Sequence, residues 1–456
     1  MNKKVLGVFQ LVMINVIAVD SIRSLAISAE YGFSLVFFYI LAGITFFIPS
    51  ALISAELGSG WPNTGGIYIW VREAFGNKWS LIIIWLNWIY NVVWYPTIMA
   101  LIAGTLTYMF NPALATNKLY ISAMILVLFW GATYINCLGM KASSWLSTAG
   151  AIVGTILPMV FISILGLLWV FKGHTSQIAF TLENFFPSKT NIDDLAFLSS
   201  IFFGLIGLEM AATHAAEMRN PTKDYPKAIG ISVVIILITI VFASLSIAIA
   251  VPKTELSLVT GALQGFKILL DRFNLGYLVP VMALFIVLGG LGSVGAWVIG
   301  PTKGLLVASR DGSLPSFLSK VNKHGAPVRI LVLQGAIVSL LCFAFVIMPT
   351  VNSSFWLLSA ITAQLAMVVY LFLFLSGIKL HFDKPDVPRA FRIPFGRIGI
   401  IVTTVLGALS CIATIGFGFI PPKMLGISNI LEYELSLIGG MALLCILPYL
   451  IHRLSK

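Results

Sequence analysis

Residues 202–209 read FFGLIGLE, with two glycines and an acid in the middle of a strongly apolar run. Glycine costs a helix about 1 kcal/mol relative to alanine, so two glycines this close together predict a break in the helix. Residues 19–23, VDSIR, interrupt a second apolar run in the same manner. A pair of interrupted apolar helices in matching positions indicates a binding site at the middle of a membrane.

The composition of the rest of the chain supports a membrane protein. The chain is 59% hydrophobic and 10% charged, whereas soluble domains carry about 25% charged residues. Its apolar stretches are long enough to cross a bilayer as helices, and too long for barrel strands. We therefore predict an all-α membrane protein with twelve spans, numbered in chain order: 5–28, 33–57, 80–110, 119–138, 146–171, 193–217, 226–251, 277–309, 328–348, 354–378, 398–420 and 433–451.

The two interrupted spans, 1 and 6, suggest how these helices are organised. They occupy the same place if spans 1–5 and spans 6–10 are two repeats. We predict a single transmembrane domain, 1–456, with repeat one at about 5–171, repeat two at about 193–378 and accessory helices at 398–451. The two halves show no clear residue-level similarity, so the repeat rests on position alone.

The net charge of +11 is explained by topology rather than by nucleic-acid binding. If the N-terminus is cytoplasmic, twenty of the 28 Lys and Arg residues lie on the cytoplasmic side and seven on the outer side, while Arg23 lies within a span. This bias follows the positive-inside rule. We expect a multi-pass protein of the plasma (cytoplasmic) membrane, surrounded by the lipid bilayer, with both termini in the cytoplasm.

Charges inside the spans are the first candidates for function, because each costs about 2.5–3.5 kcal/mol at a helix centre by insertion scales. Asp20 and Arg23 flank Ser21 in span 1, and their spacing would let them pair on a helix. In one interpretation they line a site, where Asp20 binds a substrate amine or a proton and Arg23 binds a carboxylate. In the other they form a structural ion pair.

Span 6 supplies two further acids. Glu209 follows the break formed by Gly204 and Gly207, and it either titrates during transport or merely holds the break in place. Glu217 lies nearer the cytoplasmic end and is interpreted as a gate residue or a surface ion pair. His214 lies between the two acids, and a packing role is favoured for it.

An enzymatic function is not expected. Residues 290–295 fit G-x-G-x-x-G, but a dinucleotide fingerprint needs a preceding strand, and these glycines lie inside an apolar run. Close helix packing explains them better. The five histidines are scattered, and no H-E-x-x-H occurs. We expect no cofactor, no metal and no nucleic-acid partner.

Several motifs resemble the amino acid–polyamine–organocation superfamily of transporters. They are PNTGGIY (62–68), GLEMAATHAAEMRNP (207–221), DYPKA (224–228), WVIGP (297–301) and SRDGSLP (309–315). The segment at 207–221 resembles the glutamate/GABA antiporter branch most closely. The motifs fall in order along nearly the whole chain.

This resemblance implies a LeuT-like fold, with a 5+5 inverted repeat, broken helices 1 and 6, and alternating access. Glu209 matches the family acid of helix 6, and Trp297 matches a helix 8 tryptophan on the substrate path. Phe203 and Ile206 match side chains that flank the substrate. Asn91 and Tyr95 occupy the positions in helix 3 that face it.

Two departures from the family pattern limit what can be transferred. Asp20 and Arg23 replace the neutral aromatic and acidic residues of the antiporter branch, so its specificity does not carry over. Thr148 stands where some members place a proton-coupling lysine. We expect a secondary active amino acid transporter, an amino acid/amine antiporter, whose substrate is a small amino acid or amine. The alternatives are an ion-coupled symporter and a substrate-sensing receptor on the same fold.

Overall fold

The computed structural model describes residues 6–138, 147–187, 193–312, 314–421 and 430–454. Every regular element within these ranges is a helix, which confirms the predicted all-α class. The helices at the predicted spans are Val8–Val19 with Ile22–Ala29, Gly32–Gly60, Asn77–Thr107, Lys118–Cys137, Ser147–Phe171, Asp193–Gly204 with Leu208–Glu217, Pro221–Ala250, Gly276–Arg310, Val328–Ile347, Val351–Asp383, Gly396–Phe417 and Ile430–Leu454.

Length and apolar composition make these helices suited to a bilayer. In the described residues, ten helices are long and apolar enough to cross a membrane, and eleven are if the bent pair in span 1 counts as one. Shorter helices connect them: Ile67–Phe75, Pro112–Thr116, Leu182–Phe185, Lys253–Glu255, Gly261–Arg272 and Ser316–Ser319. The protein is therefore built for a membrane.

The break predicted in span 1 is present. Its two helices meet at an angle of 46°, and Asp20 and Ser21 between them have extended backbones, with ψ of 90° and 123°. A break leaves carbonyl groups without helical partners. The Ala18 carbonyl accepts a hydrogen bond of 2.9 Å from Trp297 Nε1 of span 8. Span 8 therefore supplies a hydrogen-bond partner to the backbone at the break.

The break in span 6 is also present and depends on one glycine. The first helix ends at Gly204 and the second begins at Leu208. Gly207 has φ of 123°, where side chains are strongly disfavoured, and a Cβ there would lie 2.9 Å from the Trp297 ring. Its amide donates a hydrogen bond of 2.6 Å to the Tyr370 hydroxyl of span 10. Backbone conformation and lack of space both require glycine here.

Glycines also bring spans 5 and 8 into backbone contact. A Cβ on Gly154 would lie 2.1 Å from the Gly289 nitrogen, and one on Gly150 would lie 2.9 Å from the Gly292 Cα. Gly292 belongs to the glycine motif at 290–295, which lies inside the helix Gly276–Arg310. The prediction that this motif serves helix packing is confirmed.

Candidate functional site

A buried cavity lies between the two helix breaks. Its volume is about 30 Å³, enough for about two water molecules. The lining residues are Ala18, Val19, Ser21, Arg23, Ser24, Tyr90, Asn91, Trp94, Phe203, Gly204, Ile206 and Trp297. Most of the predicted substrate-binding residues are therefore brought together at one place.

Arg23 is the charged residue of this cavity. Its side chain is buried, and Nη1 donates a hydrogen bond of 3.1 Å to the Ser359 hydroxyl of span 10. The guanidinium lies 5.2 Å from the Phe203 ring centroid and 5.4 Å from that of Phe355. In the described part of the chain, Nε has no partner and no carboxylate lies within 4 Å of the group. A buried cation without a counter-ion favours an anionic ligand.

Asp20 faces away from this cavity. Its Oδ2 accepts a hydrogen bond of 2.5 Å from Thr239 of span 7. It lines a second cavity of about 10 Å³ together with Arg23, Thr155 of span 5 and Ser293 of span 8. Asp20 Oδ1 and the Ser293 hydroxyl have no partner among the described residues. The pairing with Arg23 that the sequence spacing allowed is not formed, because each side chain binds a different helix.

Two other predicted residues also lie off the first cavity. The Tyr95 ring packs on Phe129 of span 4, with centroids 4.9 Å apart. Four residues along a helix correspond to a rise of roughly 6 Å, so Tyr95 lies about one turn beyond Asn91. Gly207 packs behind the cavity, against the Trp297 ring.

Aromatic side chains form one wall of the cavity. The Trp297 ring lies 6.1 Å from Trp94 and 6.3 Å from Tyr90, between ring centroids. Asn91 on the same helix donates one side-chain N–H to the Asn87 carbonyl at 2.6 Å, which leaves its side-chain oxygen and its second N–H outside this bond. Aromatic faces attract ammonium groups, so this wall complements a cationic end of a ligand.

Glu209 lies at the span 6 break and is tied to span 10. Its carboxylate accepts a short hydrogen bond from the Tyr370 hydroxyl, which in turn accepts from the Gly207 amide. Glu209 is 3% exposed, and its Oε1 has no partner in the residues that the structure describes. The chain of hydrogen bonds Gly207–Tyr370–Glu209 connects the acid directly to the unwound backbone.

Glu217 lies at the far end of span 6, where it contacts span 8. Its carboxylate lies 2.9 Å from Lys303 Nζ and 2.6 Å from His214 Nδ1. This ion pair to Lys303 is a contact between two spans rather than a surface pair with the neighbouring Arg219. The gate role of Glu217 stays a prediction.

Sequence reasoning missed the contributions of span 10 and the partner of Glu217. Tyr370, Ser359 and Phe355 reach the breaks from a single apolar run, and Lys303 lies near the end of span 8. Lys303 could have been recognised from the sequence, because it is a charged residue within an apolar span. No sequence pattern singled out the span 10 residues. In the described ranges, no group of three His, Cys, Asp or Glu side chains could hold a metal ion.

Comparisons with known proteins identify the family of the chain. The family model for amino acid permeases matches residues 6–442. The chain belongs to the amino acid permease family. This permease is 49% identical to an uncharacterized transporter of Legionella pneumophila, over 99% of this chain and 97% of the relative.

Two similar proteins of Lactococcus lactis carry more specific names. A glutamate/gamma-aminobutyrate antiporter is 30% identical, over 100% of this chain and 91% of its own length. A protein named as a probable agmatine/putrescine antiporter is 27% identical, over 92% and 89%. The resemblance to the amino acid–polyamine–organocation superfamily is thus confirmed, and these relatives are transporters rather than enzymes.

Proposed function

We propose that this permease is a secondary active transporter that exchanges an amino acid for a related amino acid or amine by alternating access. The observation that carries this proposal is the buried Arg23, which has no counter-ion among the described residues, in a cavity between two broken helices. A cavity lined by such a cation and by unwound backbone can replace the hydration of a zwitterion. The antiporter names of the two Lactococcus relatives support the exchange mode.

In this proposal each part of the site has a defined role. Arg23 binds the substrate carboxylate, helped by the backbone N–H groups that begin the helix Ile22–Ala29. Trp94 and Trp297 cover the substrate and attract its ammonium group. Because the cavity is far smaller than an amino acid, the spans must separate before substrate enters. Glu209 couples occupancy to that motion through Tyr370.

We further propose the membrane arrangement that goes with this mechanism. Twelve spans form a 5+5 inverted repeat of the LeuT-like type followed by two accessory helices, within one domain. Both termini lie in the cytoplasm, and the protein resides in the cytoplasmic membrane. The matching breaks in spans 1 and 6 and the bias of basic residues support this arrangement.

Counterflow into proteoliposomes tests the function. Vesicles are loaded with a pooled mixture of amino acids and amines, and the uptake of one labelled amino acid at a time is followed. An exchanger takes up label faster into loaded than into empty vesicles. Equal rates for every substrate tested would refute exchange. Glu209→Gln is expected to change the pH profile of uptake, and an unchanged profile would remove Glu209 from coupling.

The second cavity supports one alternative, an ion-coupled symporter. Asp20 presents a buried carboxylate oxygen without a partner in the described part of the chain, and Ser293 a hydroxyl in the same state. A carboxylate in that position holds either a proton or a small cation. Uptake into empty vesicles driven by a sodium or pH gradient, and abolished by Asp20→Asn, would favour the symporter over the exchanger.

A further inference from the structure

Three ionisable side chains meet where span 6 faces span 8. Glu217 Oε1 lies 2.9 Å from Lys303 Nζ, and Glu217 Oε2 lies 2.6 Å from His214 Nδ1. Lys303 Nζ lies 3.3 Å from the same histidine nitrogen. His214 and Glu217 belong to one helix and Lys303 to the other. The Lys303–Glu217 contact is therefore the ionic link between the two spans in this cluster.

The distances fix where the proton of His214 lies. A carboxylate only accepts hydrogen bonds, so the contact of 2.6 Å requires a proton on Nδ1. An ammonium group only donates, so the approach of Lys303 to Nδ1 brings two donors together. Nε2 is the nitrogen left to take a second proton. That proton would place a full positive charge beside Lys303.

Glu217 does not act as the titrating group of this cluster. Its carboxylate accepts a hydrogen bond from His214 and lies against the Lys303 ammonium, and both contacts favour its ionised form. Of the three side chains, histidine is the one whose unperturbed charge change lies between pH 5 and 8, and the neighbouring Lys303 charge opposes that change in His214.

Other charges on the surrounding helices are engaged elsewhere or exposed. The helix Val8–Val19 contains no charged residue. Glu56 of span 2 is paired with Arg389 at 2.5 Å, and Asp224 of span 7 accepts from the Asn220 amide at 3.3 Å. The remaining charged side chains near this end of spans 6 and 7 are exposed: Arg219, Lys223 and Lys227. Within the described residues, His214 thus responds mainly to Glu217 and Lys303.

The cluster is connected to both broken helices. Leu6, just before the helix Val8–Val19, donates its amide to the Glu217 carbonyl at 3.0 Å and accepts from the Arg219 amide at 2.9 Å. The backbone at His214 departs from helical geometry, with φ of −98° and ψ of 15°. A change at His214 therefore acts at a bend in span 6 and at the start of span 1.

We propose that His214, Glu217 and Lys303 form a proton-operated latch, in which protonation of His214 releases span 8 from span 6. The protonated histidine keeps Glu217 on its own helix and repels Lys303. This inference rests on the proposed function only in that it places the latch at the cytoplasmic gate. Acidification of the compartment facing the latch then opens that side of the carrier.

Spin-label distances test the latch without requiring transport. Arg219→Cys and Arg310→Cys, both at exposed positions, are labelled in a chain whose four native cysteines have been replaced. From pH 8 to pH 5 the distance between the labels is expected to lengthen by at least about 2 Å, the scale of helix shifts in switches. His214→Gln is expected to keep the short distance at both pH values. Lys303→Gln is expected to show the long distance at pH 8.

His324→Gln is the matched control, because it removes an exposed histidine outside the cluster. It is expected to keep the response of the parent protein. An unchanged pH response in His214→Gln, or a short distance in Lys303→Gln, would overturn the latch.

Counterflow at equal pH on both sides provides the second measurement. We expect exchange to be at least about fivefold faster at pH 5 than at pH 8, the lower end of coupling between sites, and His214→Gln to lose this gain while matching the parent protein at pH 8. If distances respond but no substrate is exchanged, the proposed function fails and the latch stands. If substrate is exchanged but distances do not respond, only the latch fails.

Discussion

Tyr370 should contribute more to stability through its hydroxyl than an ordinary buried tyrosine does. That hydroxyl accepts from the Gly207 amide at 2.6 Å and donates to the Glu209 carboxylate. Tyr370→Phe removes both bonds while keeping the ring. The substitution leaves a buried N–H and a buried carboxylate oxygen without their partner.

The expected loss follows from those two bonds. Stranding a buried N–H costs about 1–3 kcal/mol, and a hydrogen bond to a charged group contributes about 1.5–3 kcal/mol. Because hydrogen bonds measured inside membrane proteins average only about 0.6 kcal/mol, we expect the lower part of this sum, about 2.5–4 kcal/mol. The melting temperature of the purified permease in detergent should fall accordingly.

Tyr95→Phe is the matched control for this measurement. The Tyr95 hydroxyl is buried and has no partner in the described part of the chain, so its removal should leave the melting temperature unchanged or slightly raised. If Tyr370→Phe is no less stable than Tyr95→Phe, the hydrogen-bonded link between spans 6 and 10 does not support the break.

Three further variants test the site and its surroundings. Arg23→Gln should raise the KM for the exchanged amino acid by at least about tenfold, the equivalent of 1.4 kcal/mol. Arg23→Lys should restore only part of the affinity, because an ammonium lacks the planar guanidinium geometry. An unchanged KM in counterflow would show that the substrate carboxylate binds elsewhere. Gly207→Ala should abolish transport, since its methyl meets Trp297 at a φ of 123°, whereas Gly230→Ala, with open space at its Cβ, should transport normally. Burial, partly opposed by the charge of Lys253, raises the pKa of Glu30 from 4.5 to about 7, so ionisation of Glu30 destabilises the folded state as pH rises from 4.5 towards 7. Glu30→Gln should therefore have a higher melting temperature than the parent protein above pH 7 and the same melting temperature below pH 4.5. A difference in melting temperature that does not depend on pH would contradict this reasoning.

The fold could be predicted because its signals are local. Apolar runs mark the helices, and the interruptions at 19–23 and 204–209 lie where the structure breaks spans 1 and 6. Ser21, next to the span 1 break, was found for the same reason, whereas Phe203 was predicted from the family resemblance.

The rest of the site depends on contacts between distant parts of the chain. Tyr370 lies 161 residues along the chain from Glu209, and Ser359 lies 336 residues from Arg23. Local sequence patterns therefore cannot predict either contact. The orientation of Asp20 could not be read from helical spacing, because its backbone is extended and the periodicity of a helix does not apply there.

The contact between Gly154 and Gly289 has a mechanical consequence. At this point the two helices approach each other through main-chain atoms, and the side chains of Thr155 and Ser147 contact span 8 beside it. The separation of the two helices is therefore set by backbone atoms, and larger side chains would hold the helices further apart. A methyl group on Gly154 would act as a wedge, 2.1 Å from the opposing nitrogen. Any increase in side-chain size at Gly154 is thus transmitted directly to span 8, which carries Trp297 at the span 1 break.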